Sequence, residues 1–251
     1  EMALANVTGS NIANIALVLG VAALVSPLRV RRTLIRREIP AALGVQLLVP
    51  LFCINGVIGR FEGFLLLLAG MVYNGLLIRE SFQRRAGGVI EDDAHDEAIE
   101  DTGDTLAKSI TFLAIGIVVL VSGAHLFVGA AVDVAEVLGM SDRFIGLSVL
   151  ALGTSAPEVA TAVVSSYRGQ ASLAIGNSLG SNILNITMVL AITAMIRPIE
   201  MVDSSAWIDL VVAVGIISAL IPFVLRDARL TRFEGGLFVV GYISYLVLAP
   251  G

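Results

Sequence analysis

Long apolar runs, separated by short polar segments, dominate the pattern of this chain. Eight runs approach the roughly 20 apolar residues that a helix needs to cross a bilayer. Only helices and closed barrels satisfy the backbone in lipid, and these runs are too long for barrel strands and lack their alternation. The runs lie near residues 3–28, 39–58, 61–78, 110–132, 144–165, 172–196, 206–225 and 235–248. The pattern predicts an all-α, multi-pass protein of the cell membrane, plasma or inner, with the lipid bilayer as its surroundings.

One hydrophilic stretch divides these runs into two groups. We expect a first transmembrane repeat at 1–79, an acidic loop at 80–109 and a second transmembrane repeat at 110–251. The loop is interpreted as a solvated linker. A regulatory calcium site there is an alternative, but the ligand and glycine spacing of a calcium-binding loop is missing. Basic residues concentrate at one end of the predicted spans, and the positive-inside rule therefore predicts a cytoplasmic acidic loop.

Composition supports a membrane protein, and the absence of certain residues and motifs excludes several classes of function. Hydrophobic residues make up 57% of the chain, against roughly 45–50% in soluble domains. The single cysteine excludes an internal disulfide and a thiolate metal cluster. The sequence contains no recognisable nucleophilic triad, phosphate loop or nucleotide-binding motif. We therefore expect a protein that is not an enzyme, with no cofactor and no nucleic-acid partner.

A ten-residue segment occurs twice. NVTGSNIANI begins at Asn6, and NSLGSNILNI begins at Asn177, 171 residues later. The segment RFEG at Arg60 likewise recurs at Arg232. The two copies lie five predicted spans apart, and because this number is odd they cross the membrane in opposite directions. Such an inverted-topology repeat is typical of secondary transporters, whose ion sites lie near the midplane.

Polar residues in each copy recur at every fourth position and share one helix face. The two stripes are Asn6, Ser10 and Asn14 in the first copy, and Asn177, Ser181 and Asn185 in the second. Interhelical hydrogen bonding is one interpretation, and the spacing of Gly176 and Gly180 also fits close helix packing. Packing does not explain the amides, which are costly in hydrocarbon without a partner. The stripes therefore favour the lining of a cation site.

Glu158 is the strongest single signal, because an intramembrane carboxylate is a functional site by default. A protonated structural glutamate is the alternative. Pro157 supplies no N–H and crowds the carbonyl of Gly153, so a helix break that frees backbone oxygens is expected. One face of this helix carries Ala151, Thr154, Ser155 and Glu158. Together these groups predict an oxygen cage for calcium or sodium.

These motifs resemble the cation/calcium exchanger superfamily, specifically its prokaryotic-type sodium/calcium exchanger branch. That family has two inverted alpha repeats, each with a Gly-Thr-Ser-x-Pro-Glu helix followed by a Gly-Asn-x-x-Gly-Ser-Asn-x-x-Asn helix. The second repeat is complete here, at 153–158 and 176–185. The resemblance implies an inverted-topology repeat of five-helix halves, with about eight of ten helices in this chain. Its implied ion ligands are Ser10, Asn14, Ser155, Glu158, Ser181 and Asn185 through side chains, and Ala151 and Thr154 through backbone carbonyls.

The chain begins inside the first repeat, so two preceding helices and their glutamate motif are expected to complete the site. The resemblance implies antiport of calcium against sodium by alternating access, with these ions as the transported partners. The neutral amide of Asn185 suits exchange of one calcium for several sodium ions. A proton- or potassium-coupled calcium antiporter and a cation channel are the alternatives.

Overall fold

The computed structural model describes residues 2–87, 106–138, 151–201 and 205–248. The acidic part of the predicted loop, 91–104, lies outside these residues, as does the beginning of the fifth predicted span, 144–150.

Eight helices run through the described residues. Helix α1 is continuous from Met2–Ala13 through a π-helical segment, Asn14–Leu19, to Gly20–Val25, and α6 repeats this plan with Ala171–Leu184, Asn185–Leu190 and Ala191–Ile196. The others are α2 (Leu34–Glu38, π-helical, and Ile39–Phe52), α3 (Arg60–Gly87), α4 (Leu106–Val137), α5 (Ala151–Tyr167), α7 (Ser205–Asp227) and α8 (Arg232–Leu248). Helices α1, α3, α4, α6 and α7 are long and apolar enough to cross a membrane. The predicted all-α membrane architecture is confirmed.

Helix α3 is longer than its apolar run. It continues to Gly87, through the first residues of the stretch predicted to be a linker. A polar contact with the beginning of α2 lies at the start of this extension, where Glu80 forms an ion pair with Arg37. Two turns earlier, Tyr73 donates a hydrogen bond to Glu38 of α2. Hydropathy does not detect such a segment, because the helix leaves its apolar environment before it ends.

Two short antiparallel ribbons connect the repeats. Strand β1 (Leu28–Arg29) pairs with β4 (Arg229–Leu230), and β2 (Val57–Ile58) pairs with β3 (Ile199–Glu200). Each strand of the first repeat therefore pairs with a strand of the second. At the repeat offset β1 corresponds to β3 and β2 to β4, so the ribbons are exchanged by the same inverted symmetry that relates the helices.

The recurring RFEG segment begins α3 and α8 and has the same two roles in each. Glu62 accepts a hydrogen bond from the backbone N–H of Gly59 at 2.9 Å, and Glu234 accepts one from Thr231 at 2.7 Å. A glutamate that reaches back to the residue preceding the helix satisfies a donor that the helix leaves unpaired. The repeated glutamate is thus a helix cap.

The glycine of this segment allows close helix packing. A Cβ built on Gly235 would lie 2.7 Å from the carbonyl oxygen of Gly20 in α1, and one built on Gly63 would lie 2.7 Å from that of Ala191 in α6. By contrast, a Cβ on Gly180 meets nothing within 4 Å among the described residues, and one on Gly176 would lie 4.0 Å from the side chain of Leu34. Of these four glycines, the two at the beginnings of α3 and α8 make tight helix contacts, and the two at the Gly176–Gly180 spacing do not.

Helices α1 and α6 cross in opposite directions at the centre of the bundle. The hydroxyl of Ser166, at the end of α5, donates to the carbonyls of Ala22 and Ser26, at 2.7 and 3.2 Å. This contact places the turn between α5 and α6 beside the end of α1. Most of α1 is buried, so its polar residues lie inside the protein.

Candidate cation site

The π-helical segments of α1 and α6 begin at equivalent residues, Asn14 and Asn185. Insertions of π-helix occur frequently at functional sites, where they change the direction of side chains within an otherwise regular helix. Both asparagines belong to the predicted ion ligands. Nothing in the hydrophobic pattern predicted this local change of helix type.

Four asparagines form a nearly symmetric hydrogen-bond network between α1 and α6. Asn11 and Asn182 each donate to the backbone carbonyl of the other, at 3.4 and 3.1 Å. Asn14 donates to Oδ1 of Asn182 at 2.9 Å, and Asn185 donates to Oδ1 of Asn11 at 3.0 Å. Gln46 of α2 accepts a further hydrogen bond from Asn11 at 3.0 Å. The pseudo-twofold axis of the inverted repeat therefore passes between Asn11 and Asn182.

This network uses the amide donors and leaves acceptors available. Asn14 is fully buried, and its Oδ1 atom has no hydrogen-bond partner among the described residues. A buried carbonyl oxygen without a donor is costly unless another electropositive group approaches it. A cation would supply that group.

Hydroxyl groups bring the third helix into the site. The Oγ atoms of Ser10 in α1 and Ser155 in α5 lie 3.4 Å apart, and Ser155 is completely buried. Asn185 of α6 also donates to Oγ of Ser10 at 3.4 Å. Three of the predicted ligands, from three helices, therefore meet at one point.

Glu158 lies about one helical turn beyond Ser155 on the same helix. Its Oε2 atom is buried and has no hydrogen-bond partner in the part of the chain that the structure describes. The expected helix break at Pro157 was wrong: α5 is continuous from Ala151 to Tyr167. The proline still deprives the Gly153 carbonyl of its usual helical donor, because proline has no N–H.

Three further residues complete the predicted ligand set, and ion binding stays a prediction for all of its members. Ser181 is partly buried and lies one turn before Asn185 on α6. Ala151 and Thr154 lie in the first turn of α5. Their roles as ion ligands stay predictions.

Sequence reasoning missed the inner pair of the network, Asn11 and Asn182, and their partner Gln46. Both asparagines recur at the 171-residue offset, and this was the signal that could have identified them. They do not belong to the four-residue stripe, so the face analysis excluded them. Gln46 has no sequence signal of this kind.

The groups at this site are suited to a hard cation. Within the described ranges no three His, Cys, Asp or Glu side chains come together as a metal cluster. The available groups are one carboxylate, amide oxygens and hydroxyls, which are the ligand types that calcium and similar ions prefer. An inverted repeat of membrane helices around such oxygens defines a secondary transporter of cations.

Comparison with known proteins identifies the family. Residues 1–79 and 108–250 match the family described as sodium/calcium exchanger protein. The chain is 31% identical to inner membrane protein YrbG of Escherichia coli K12, over 99% of this chain and 77% of that protein. It is 28% identical to the sodium/calcium exchanger MaX1 of Methanosarcina acetivorans, over 97% and 78%.

Solved structures agree with this assignment. The sodium-calcium exchanger NCX_Mj, in crystals soaked with Na⁺ and Sr²⁺, superposes with a TM-score of 0.78 at 28% identity, over 99% of this chain and 77% of that one. The chain belongs to the sodium/calcium exchanger family. It is a multi-pass membrane transporter of the cation/calcium exchange class.

Proposed function

We propose that this protein exchanges calcium for sodium across the cell membrane, by alternating access at an oxygen-lined site near the bilayer midplane. The observation that carries the proposal is the pair of buried acceptors, Asn14 Oδ1 and Glu158 Oε2, which have no donor among the described residues. They belong to helices that pack together where α1 and α6 cross. Ser10, Ser155, Ser181 and Asn185, with the carbonyls of Ala151 and Thr154, complete the proposed ligand set.

Competition for these oxygens accounts for coupling. Calcium and sodium are both hard cations that bind carboxylate, hydroxyl and carbonyl oxygens. If the same carboxylate serves both ions, the site holds one class at a time, and the sodium gradient drives calcium movement without ATP. Related proteins support this choice, because MaX1 is a sodium/calcium exchanger and the exchanger NCX_Mj was soaked with Na⁺ together with Sr²⁺ or Ca²⁺. Strontium, like calcium, is a divalent hard cation.

Replacement of the carboxylate tests the site. Glu158→Gln keeps the shape of the side chain and removes its charge. We expect it to abolish sodium-driven calcium uptake into proteoliposomes of the full-length protein, because a neutral amide cannot replace the charge that holds a divalent ion inside the membrane. Glu200→Gln, at the exposed residue of strand β3, is the matched control and should retain uptake. Sodium-driven uptake that survives in Glu158→Gln would overturn the assignment.

Separate gradients test the coupling ion. Calcium flux is measured with wild-type protein under a sodium, a potassium or a proton gradient imposed alone. Uptake that requires sodium supports the proposal, whereas uptake driven by protons without sodium identifies a proton-coupled antiporter. A potassium requirement in addition to sodium identifies the potassium-dependent class. A calcium conductance that is not coupled to the movement of another ion would indicate a channel.

A further inference from the structure

Gln46 is a buried polar residue of α2 that belongs to the asparagine network. Its Oε1 atom accepts a hydrogen bond from Asn11 at 3.0 Å, and only 3% of the residue is exposed. An amide inside a membrane protein is costly unless it has hydrogen-bond partners, and polar residues at such depth typically serve a function. The proposed ligand set does not account for Gln46.

The equivalent of Gln46 in the other half of the repeat is apolar. Buried residues recur in the same register, 171 residues apart, along α2 and α7: Ile39, Ala42, Gln46, Val49 and Cys53 in the first half, and Leu210, Ala213, Ile217, Leu220 and Val224 in the second. Ile217 therefore corresponds to Gln46, just as Asn182 corresponds to Asn11. Ile217 is 1% exposed, and its side chain can neither donate nor accept a hydrogen bond.

The two inner asparagines are consequently held in different ways. Asn11 donates to Gln46 and accepts from Asn185 at 3.0 Å. Asn182 accepts from Asn14 at 2.9 Å, but the residue that corresponds to Gln46 offers it no acceptor. Hydrogen bonds in a chain polarise one another, so the bond to Gln46 strengthens the contact of Asn11 with Asn185. The network is symmetric in its asparagines and asymmetric in this one support.

Inverted symmetry gives this difference a consequence for transport. Alternating access in such proteins is largely a movement of one repeat against the other, and the outward-facing and inward-facing states are related by an exchange of conformation between the two halves. Two identical halves would therefore give two states of equal free energy. A contact that is made in one half alone, and that is stronger in one state than in the other, favours that state.

We infer that Gln46 sets the balance between the outward-facing and inward-facing states. It is a positioning residue that acts through Asn11 on Asn185, and it does not bind the ion. The inference rests on the proposed function, because it concerns alternating access at the same site. The apparent affinity at each face is the intrinsic affinity multiplied by the fraction of protein that faces that side. The ratio of the half-saturating calcium concentrations at the two faces therefore reports the balance.

Substitution of the equivalent pair tests the inference. Sodium-driven calcium uptake by the full-length protein is measured in right-side-out and in inverted vesicles, which gives the half-saturating calcium concentration at each face. Gln46→Ile removes the amide from the first half and Ile217→Gln adds one to the second, so each variant makes the two halves alike. Both should shift the ratio in the same direction, by roughly three- to tenfold, the equivalent of one hydrogen bond. The double variant Gln46→Ile/Ile217→Gln reverses the asymmetry and should shift the ratio by about the square of that factor.

The ratio separates this role from a purely structural one. A loss of stability changes the amount of active protein and hence the maximal rate, whereas the ratio of two half-saturating concentrations does not depend on that amount. Gln46→Met keeps the length of the side chain without its amide and should shift the ratio as Gln46→Ile does. Leu47→Gln places an amide at the neighbouring exposed position and should retain the wild-type ratio.

Two results would overturn the inference. One is a wild-type ratio in both Gln46→Ile and Gln46→Met, and the other is a shift of Gln46→Ile and Ile217→Gln in opposite directions. Wild-type vesicles without sodium-driven calcium uptake at either face would instead overturn the proposed function, and this inference with it. The wild-type measurement thus distinguishes a failure of the exchanger assignment from a failure of the role of Gln46.

Discussion

An asparagine side chain both donates and accepts hydrogen bonds. Its contribution to a cation site therefore depends on whether its neighbours bond to its NH₂ group, which leaves the oxygen for the ion, or to its oxygen. Asn11 and Asn182 present their Oδ1 atoms to the amide groups of Asn185 and Asn14. The oxygens of those two outer asparagines are thereby oriented away from the contact. We interpret the inner pair as positioning residues, which hold the proposed ligands without binding the ion.

Truncation of the inner pair tests this role. Asn182→Ala removes the acceptor for Asn14, so the Asn14 amide becomes free to rotate and to present its donor to the site. We expect the half-saturating calcium concentration for flux to rise about tenfold, the equivalent of one or two hydrogen bonds, with a smaller effect on maximal rate. Asn74→Ala, which removes an amide that donates to Gly70 of its own helix, is the control. Equal losses in both variants would contradict the positioning role.

At the scale of the helices, the beginnings of α3 and α8 are built for close approach. Gly235 contacts both the backbone of Gly20 and the side chain of Ala23 in α1, and a methyl group has no space there. The same helix carries Gly241, at an exposed position where an added Cβ meets nothing within 4 Å of the described residues. Helix α8 thus contains one glycine that packs closely against α1 and one with space beside it for a side chain.

We therefore expect replacement by alanine to affect stability differently at these two glycines. Gly235→Ala should lower the free energy of unfolding by about 1–3 kcal/mol, because overpacking displaces α8 from α1. Gly241→Ala should leave stability unchanged or raise it slightly, since alanine has the higher helix propensity. Thermal unfolding of both variants in the same detergent gives the comparison. A similar Tm for the two variants would show that the contact of α8 with α1 is not tight.

The sequence predicted the helices and their inverted repeat well, because hydrophobic runs and the 171-residue recurrence are properties of the chain itself. It also proposed Ser10, Ser155 and Asn185 as ion ligands; the structure brings these three residues together, and their role as ligands stays a prediction. The π-helical segments, the polar end of α3 and the pairing of the ribbons were not predictable in this way. The polar end of α3 is held by the ion pair of Glu80 with Arg37, and the ribbons join residues as far apart as Leu28 and Leu230, so both depend on contacts between residues far apart in sequence.

At the scale of the whole molecule, the inverted repeat and the basic residues together make a prediction about orientation. The turn at Tyr167 lies at the arginine-rich end of the bundle, and the exposed Asn55 lies beside the opposite ribbon. The positive-inside bias places the first in the cytoplasm and the second outside.

Cysteine labelling checks this orientation. In a Cys53→Ala background, Asn55→Cys should react with a membrane-impermeant maleimide in right-side-out vesicles, and Tyr167→Cys should react only in inverted vesicles. Both side chains are exposed, so accessibility within the protein does not limit the reaction. Reaction of the two cysteines from the same side would contradict the inverted arrangement, and a reversed pattern would contradict the assigned orientation.

The two ribbons also determine the order in which this protein is assembled. Leu28 pairs with Leu230, and Ile58 pairs with Ile199, so neither half contains the partner of its own strands. Chains are synthesised from the N-terminus, and the early helices enter the bilayer while the later ones are still on the ribosome. The strands of the first half therefore remain unpaired until Ile199 and, later, Leu230 have been synthesised. Both ends of the bundle are therefore closed only after the second half has been synthesised, because each ribbon joins a strand of the first half to a strand of the second.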